Sequence, residues 1–418
     1  MNKPITFYLK SLGCKVSQYD GERLEEKLCM LGLQKSESNP DLFILNGCSV
    51  TGRASQKVRQ TLRSAAKKWP GVKLVLAGCE ARLREQRSEE TFEADFVLPT
   101  YDSLGQIMKM LQVLFKDFEY EAHGENAAHR LTSKTRAFLK VQDGCNQFCS
   151  YCIVPYLRGD EWSRPVADAV AEAKRLANEG HRELVLTGIH LGHYKPDLVT
   201  LLKELELVKG IERIRLSSIE SIEVSESLID WVASSPKACN HFHLPLQSGC
   251  DKILQAMKRP YLTSDYKKVV EEIRSRMPLA AVTTDLIVGF PGETDEDFNK
   301  TLYFLEEMQF SRIHIFKFSP REGTPAATMP SQLSNAVKNA RSDMVEQVWH
   351  RTSRAFASRF TGREIEVLWE TADKTGLHGF SREYVPAVLR SDDLTLLNKV
   401  SKVRAVSLDE NGLLVEPV

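Results

Sequence analysis

The chain has no apolar run of about 18 residues, so a transmembrane helix is not expected. It has no charge excess either: 56 Lys and Arg meet 56 Asp and Glu. A surface coated in positive charge is thereby excluded, and any nucleic-acid partner must be held by a local patch. The start, Met1-Asn2-Lys3-Pro4-Ile5, lacks the apolar stretch and small-residue cleavage site of a secretory signal. A cytoplasmic location is expected. Cysteine is scarce and odd in number, nine in 418 residues. An odd count in a large chain argues against a disulfide framework. Metal ligation or catalysis is the better reading for cysteines at special positions, and the others read as small core residues. The composition is that of a folded globular chain, and the length fits two or three domains at about 150 residues each.

What is there is a strand–helix alternation. Ile5–Leu9, Asp41–Leu45 and Val72–Ala77 read as strands, with helices over Gln18–Leu31 and Ala54–Lys68 between them. Strands separated by single helices imply a doubly wound parallel sheet in an α/β fold. The polar stretch from Phe118 to Lys134 reads as a linker. The alternation resumes with strands at Phe138–Val141, Glu183–Leu186, Ile211–Ser217, His241–Leu246, Val282–Val288 and Ile313–Phe318. About six such units predict a barrel or partial barrel, with its active site at the C-terminal strand ends. Beyond a polar helix the pattern shifts to Glu364–Trp369, Tyr384–Leu389 and Val400–Leu408, with an Asn411-Gly412 hairpin signal. A small antiparallel barrel is expected there. The domains are placed at 1–117, 131–355 and 356–418.

Three cysteines fall within eight residues after the first strand of the central domain: Cys145, Cys149 and Cys152. So short a loop can aim three thiolates at one point, and it supplies no fourth ligand. Structural zinc wants four protein ligands, whereas three thiolates suit a cubane iron–sulfur cluster with one open iron. The competing reading is a zinc loop that borrows a distant ligand. A second trio is spread over the N-terminal domain as Gly13-Cys14, Gly47-Cys48 and Gly78-Cys79, each just past a predicted strand. In an open α/β sheet the carboxyl ends of the strands share one edge. Topology then gathers the three thiols, and a glycine before each allows a sharp turn. A second cluster with an open iron is expected; the bland alternative is three core cysteines. Cys29, Cys239 and Cys250 match neither trio and read as core.

The Cys145-x3-Cys149-x2-Cys152 loop, with the aromatic Tyr151 before the last cysteine, resembles that of the radical SAM enzymes. With the second trio, the chain resembles the radical SAM methylthiotransferases over essentially its whole length. That resemblance implies a central radical SAM partial (β/α) barrel and a C-terminal TRAM barrel. It implies two 4Fe-4S clusters and S-adenosyl-L-methionine as cofactors, and the net replacement of C–H by C–S–CH3. It also implies tRNA as partner and a flavodoxin- or ferredoxin-type electron donor, with no membrane partner; the chain is expected to act as a monomer. The segment Leu12-Gly13-Cys14-Lys15-Val16-Ser17-Gln18-Tyr19 is similar to the branch that modifies N6-threonylcarbamoyladenosine beside the tRNA anticodon. Ser17 and Asp20 depart from that branch, and Trp162 stands where it carries Arg. The acidic pair Asp160-Glu161 is closer to the isopentenyladenosine branch, and a third branch modifies a ribosomal-protein aspartate. By the same resemblance Thr187, Gly188, Ser218, Glu220 and Gln247 are candidate contacts to S-adenosyl-L-methionine, although ordinary turn and capping chemistry explains any one of them equally well. No catalytic side chain beyond the six cysteines is assigned.

Charge points to one place for RNA. Residues 353–418 hold nine Lys and Arg against ten Asp and Glu, so the TRAM-like domain is not basic. Residues 51–75 hold Arg53, Lys57, Arg59, Arg63, Lys67, Lys68 and Lys73 and no acid. On a helix, spacings of four place Arg59, Arg63 and Lys67 on one ridge. The competing reading is a solvated helix face. Charge reversal at Arg59 and Arg63 is expected to weaken tRNA binding, most at low salt. Anaerobic reconstitution is expected to give a coloured protein carrying iron for both clusters. Colourless zinc protein, or iron for one cluster alone, contradicts the assignment of the trios.

Overall fold

The structure is a computed structural model that describes residues 4–87, 93–101, 103–116, 118 and 135–418. Apart from Phe118, the expected linker lies outside the described residues. The chain divides into two compact units. One takes Met1–Ser133, Cys152–Gly159 and Ser319–Gly323, and the other takes Lys134–Tyr151, Asp160–Phe318 and Thr324–Val418.

The first unit is built on strands β1 (Thr6–Ser11), β2 (Gln34–Lys35), β3 (Leu42–Gly47), β4 (Lys73–Ala77) and β5 (Phe96–Leu98). They form one parallel sheet in the order β2-β1-β3-β4-β5. Helices α1 (Lys15–Met30), α2 (Gly52–Lys68), α3 (Gly78–Gln86) and α4 (Leu104–Leu114) cover it. The central strand β3 is buried throughout. Leu42 and Ile44 pack on one face with Leu24, Leu28, Ile107 and Leu111. Phe43 and Leu45 pack on the other with Val58, Leu62 and Leu76. Four consecutive apolar residues, Leu42–Leu45, are what two covered faces require. The short strands β2 and β5 carry too few residues to show an alternation, which is why the sequence did not reveal them.

The second unit contains β6 (Arg136–Lys140), β7 (Gln142–Asp143), β8 (Trp162–Ser163), β9 (Glu183–Thr187), β10 (Arg213–Leu216), β11 (His241–His243), β12 (Ala281–Val288) and β13 (Arg312–Lys317). Two parallel sheets, β6-β9-β10 and β11-β12-β13, are joined by the parallel bridges Ile214↔Ala238 and Ser218↔His243. The result is a six-stranded parallel arc, the partial barrel expected. The antiparallel pair β7–β8 clips the two ends of the cysteine loop together.

Strands β14 (Glu364–Asp373), β15 (Gly376–Ser381), β16 (Pro386–Leu389), β17 (Val400–Leu408) and β18 (Leu413–Pro417) close a barrel in the order β14-β15-β16-β18-β17. Every neighbouring pair is antiparallel except β16–β18, which is parallel. Asn411-Gly412 does turn the chain from β17 into β18: Asp409 N–H donates to Gly412 O at 2.9 Å.

A buried ionic cluster fastens this small barrel to the N-terminal ends of the large one. Arg215 Nε donates to Glu183 Oε1 at 2.7 Å, and Arg213 lies 3.6 Å from Glu183 Oε2. All three side chains are 1% exposed. The terminal guanidinium nitrogens donate to backbone oxygens of the small barrel: Arg213 to Phe380 and Glu366, and Arg215 to Ser381 and Arg382. Burying charge is costly unless donors find acceptors, and these carbonyls and Glu183 serve every donor nitrogen of the two arginines except Arg213 Nε, which has no partner among the described residues. Removing the one carboxylate leaves two uncompensated buried cations. Glu183→Gln is therefore expected to cost about 3–5 kcal/mol in chemical unfolding. Glu364→Gln, which breaks the half-exposed pair with Arg404, is expected to cost about 1 kcal/mol or less.

Candidate cluster sites and the strand-end pocket

In the first unit, β1, β3 and β4 are adjacent, and each hands the chain to a helix beside a cysteine. Cys14 is the N-cap of α1. Cys48 follows β3, three residues before the Thr51 cap of α2. Cys79 is the second residue of α3. The thiols converge: a methyl placed on Gly13 would lie 3.1 Å from Cys48 Cβ. Gly78 has φ +79°, and a methyl there would lie 2.1 Å from Asn46 Oδ1. Glycine is thus required at both approaches for two independent reasons, backbone conformation and space. Three helix N-termini meet here, and their partial positive charge favours thiolate over thiol. Burial works against it and pushes the Cys48 thiol up to about 11, and neighbouring Cys79 and Cys14 add to the rise while Arg158 opposes it. Arg158, itself paired with Asp20 at 3.1 Å, is the nearby cation that sequence reasoning missed. A thiol held protonated by burial, as Cys48 is, loses its proton when a cation binds it, so this position suits a metal cluster.

In the second unit the loop after β7 carries Cys145 and Cys149, and the segment beginning at Cys152 groups with the first unit. Cys145 Sγ accepts from Gln147 N–H at 3.4 Å, and His190 Nδ1 lies 3.7 Å from it. Cys149 Sγ accepts from the buried Arg259 guanidinium at 3.2 Å. Burial raises the Cys149 thiol, and Arg259 pulls it back. The same guanidinium pairs with Glu220 and is braced by Tyr261. Arg259 carries no motif signal in the sequence; only its burial beside Cys149 and Glu220 exposes it. Gln142 organises the loop from within. Its amide donates to Asp143 O and Gly144 O, and its carbonyl accepts from His190 N–H at 2.7 Å.

The residues expected to contact S-adenosyl-L-methionine all lie at C-terminal strand ends. Thr187 ends β9 and is fully buried. A methyl on Gly188 would lie 3.0 Å from Gln142, so packing alone accounts for that glycine. Ser218 bridges to His243. Burial raises the Glu220 carboxyl above the usual carboxylate range, and Arg259 opposes that. Gln247 holds a left-handed backbone, φ +66°, and bridges to Leu286. Thr187 Oγ1, Ser217 Oγ and Ser221 Oγ are buried with no hydrogen-bond partner among the described residues. Buried hydroxyls normally find partners, so three orphans at one strand edge fit a polar small molecule there.

Comparison with known proteins agrees with this geometry. Residues 139–305 match the Radical SAM superfamily, and residues 6–99 match the Uncharacterized protein family UPF0004. A solved structure of the radical S-adenosylmethionine methyltransferase TsrM from Kitasatospora setae, with tryptophan and a SAM analogue bound, shares the fold. It has a TM-score of 0.58 at 13% identity, covering 78% of this chain and 75% of that one. The class is therefore that of radical SAM proteins.

Full-length relatives narrow it. The threonylcarbamoyladenosine tRNA methylthiotransferase MtaB of Chlamydia pneumoniae is 36% identical over 99% of this chain and 98% of its own. The protein of that name from Bacillus subtilis is 32% identical over 96% and 93%. The tRNA-2-methylthio-N(6)-dimethylallyladenosine synthase of Maricaulis maris is 34% identical over 97% and 96%. The chain belongs to the radical SAM methylthiotransferase family, enzymes that work with S-adenosyl-L-methionine and 4Fe-4S clusters.

The glycines of the first trio give a direct test. Gly71 has φ +86°, and a methyl there would meet nothing within 4 Å, so Gly71→Ala suffers backbone strain alone. Gly78→Ala meets the same strain plus the Asn46 clash. It is expected to cost more in thermal unfolding than the roughly 1–3 kcal/mol of a strained backbone, and to lower iron content where Gly71→Ala does not.

Proposed function

We propose that this chain is a tRNA methylthiotransferase that inserts a methylthio group at C2 of N6-threonylcarbamoyladenosine beside the anticodon. What supports the reading is the pair of cysteine trios, one just past the parallel strands β1, β3 and β4 and the other in the loop that follows β7; a cluster on either trio would be one protein ligand short. Cys145, Cys149 and Cys152 would hold one 4Fe-4S cluster, and Cys14, Cys48 and Cys79 the other. Together with S-adenosyl-L-methionine, these groups supply the radical, the sulfur and the methyl. The protein's share is to bind and orient. Thr187, Gly188, Ser218, Glu220 and Gln247, at or just past strand ends, would contact the cofactor, and the hydroxyls of Thr187, Ser217 and Ser221, unpartnered among the described residues, leave room for polar contacts. Arg259 neutralises Glu220 and donates to Cys149 Sγ. Phe148, Trp162 and Phe316 are about half exposed, and such rings can stack on an unpaired base.

The threonylcarbamoyl substrate is supported by the Leu12–Tyr19 segment and by relatives of that name in three organisms. The Asp160-Glu161 pair and relatives named for dimethylallyladenosine favour the second reading. The further parts of the proposal are a division at 1–117, 131–355 and 356–418, a monomer, a cytoplasmic location and a flavodoxin- or ferredoxin-type donor. No helix among the described residues is long and apolar enough to cross a membrane.

The tRNA footprint includes α2. Val58, Leu62 and Ala65 are buried, which turns Arg53, Lys57, Arg59, Lys67 and Lys68 to solvent. One expectation needs correcting. Residues 51–75 contain no acid, but Glu93 reaches Arg63 at 2.5 Å. Arg63 is therefore already paired, and Arg59 is the better probe.

Mass spectrometry of tRNA nucleosides with and without this gene tests the substrate. Loss of the methylthio derivative of threonylcarbamoyladenosine is expected. Loss of the dimethylallyl derivative selects the second reading, and intact tRNA nucleosides reject both. For the footprint, Arg59→Glu is expected to weaken tRNA binding and flatten its salt dependence by about one counterion, with a smaller effect from Arg63→Glu. Unchanged affinity at low salt removes α2 from the interface.

A further inference from the structure

Outside both cysteine trios, four side chains of the second unit form a closed box. His190 and His193 flank the short turn after β9, Glu223 sits in the turn after β10, and Glu161 immediately precedes β8. The two imidazole rings are stacked, with centroids 3.8 Å apart and planes 29° apart. Both Nδ1 atoms lie 2.9 Å from Glu161 Oε1. Both Nε2 atoms face Glu223 Oε1, at 2.5 Å for His190 and 3.1 Å for His193. Ionised carboxylates only accept hydrogen bonds. Each of the four ring nitrogens therefore needs a proton or a cation facing its acceptor. Four protons make two imidazolium rings lie face to face, like charges in contact. One divalent cation on the Nε2 side replaces two of those protons at the same total charge. It leaves both Nδ1–H groups donating to Glu161, the carboxylate–histidine pairing that backs metal ligands in many sites.

We propose that His190, His193 and Glu223 form a divalent transition-metal site, with Glu161 as the carboxylate behind both histidines. The set is two imidazoles and one carboxylate with open positions, a donor set suited to zinc(II) or iron(II). The three ligand atoms lie within 4.8 Å of one another, and a small turn of one ring brings them inside the roughly 4.2 Å that two bonds of about 2.1 Å can span. His193, 46% exposed, supplies both the freedom to turn its ring and a path in from solvent. The turn is shaped for this arrangement. A methyl on Gly192, between the two histidines, would lie 2.1 Å from Glu223 Oε2, so only glycine lets one carboxylate reach both rings. Because His190 also touches Cys145, the ion would tie the loops after β9 and β10 to the cysteine loop.

Cobalt(II) is the probe. The cluster-loaded enzyme is dialysed anaerobically against it, bound cobalt and iron are counted, and cobalt K-edge absorption reads the ligands. One cobalt per chain beyond the iron is expected, with nitrogen and oxygen ligands only. His193→Ala and, independently, Gly192→Ala are expected to weaken uptake roughly tenfold or more with iron content unchanged. Equal uptake by wild type and His193→Ala, or sulfur among the cobalt ligands, overturns the proposal. The iron count reports separately on the cysteine assignment, so failure of one is distinguishable from failure of the other.

Discussion

A parallel sheet delivers every strand's carboxyl end to the same edge, and the chemistry of this protein depends on that constraint. Cys14, Cys48 and Cys79 are 34 and 31 residues apart in the chain, yet β1, β3 and β4 are neighbours in one sheet. The edge also collects helix N-termini, whose dipoles favour the anionic form of a ligand. Close approach then requires residues without a side chain, and Gly13 and Gly78 provide it. The second unit repeats the logic on a curved sheet, where Thr187, Ser217, Glu220 and Gln247 gather at or just past strand ends.

The two ends of the large barrel use charge in opposite ways. At the N-terminal end, Glu183, Arg213 and Arg215 are completely buried and paired with one another, and the terminal guanidinium nitrogens close on backbone carbonyls of the small barrel. Such a cluster specifies one docking geometry and leaves nothing for a ligand. At the C-terminal end, the buried hydroxyls of Thr187, Ser217 and Ser221 lack partners among the described residues, and Glu220 is held beside Arg259 although its burial favours protonation. The first end holds the fold together; the second keeps unmet binding capacity.

Around the cysteine loop, polar side chains do what a short loop cannot do for itself. Gln142 links the backbone before Cys145 to the strand end at His190, the β7–β8 pair clips the loop's base, and Arg259 reaches across to Cys149. These contacts come from four different sequence regions, and a ligand placed on the loop inherits their rigidity.

The sequence by itself determined the α/β alternation, the two cysteine trios, the hairpin at Asn411-Gly412 and the basic run on α2. Each of these is a local pattern: a period, a spacing or a cluster within one element. Only the tertiary structure decided that Glu93 neutralises Arg63, that Arg259 sits on Cys149, that β16 and β18 run parallel, and that His190 and His193 share two carboxylates. Those partners are brought together by strand order and packing across as many as 110 residues, and no periodicity within a segment records which distant side chain will fold against it.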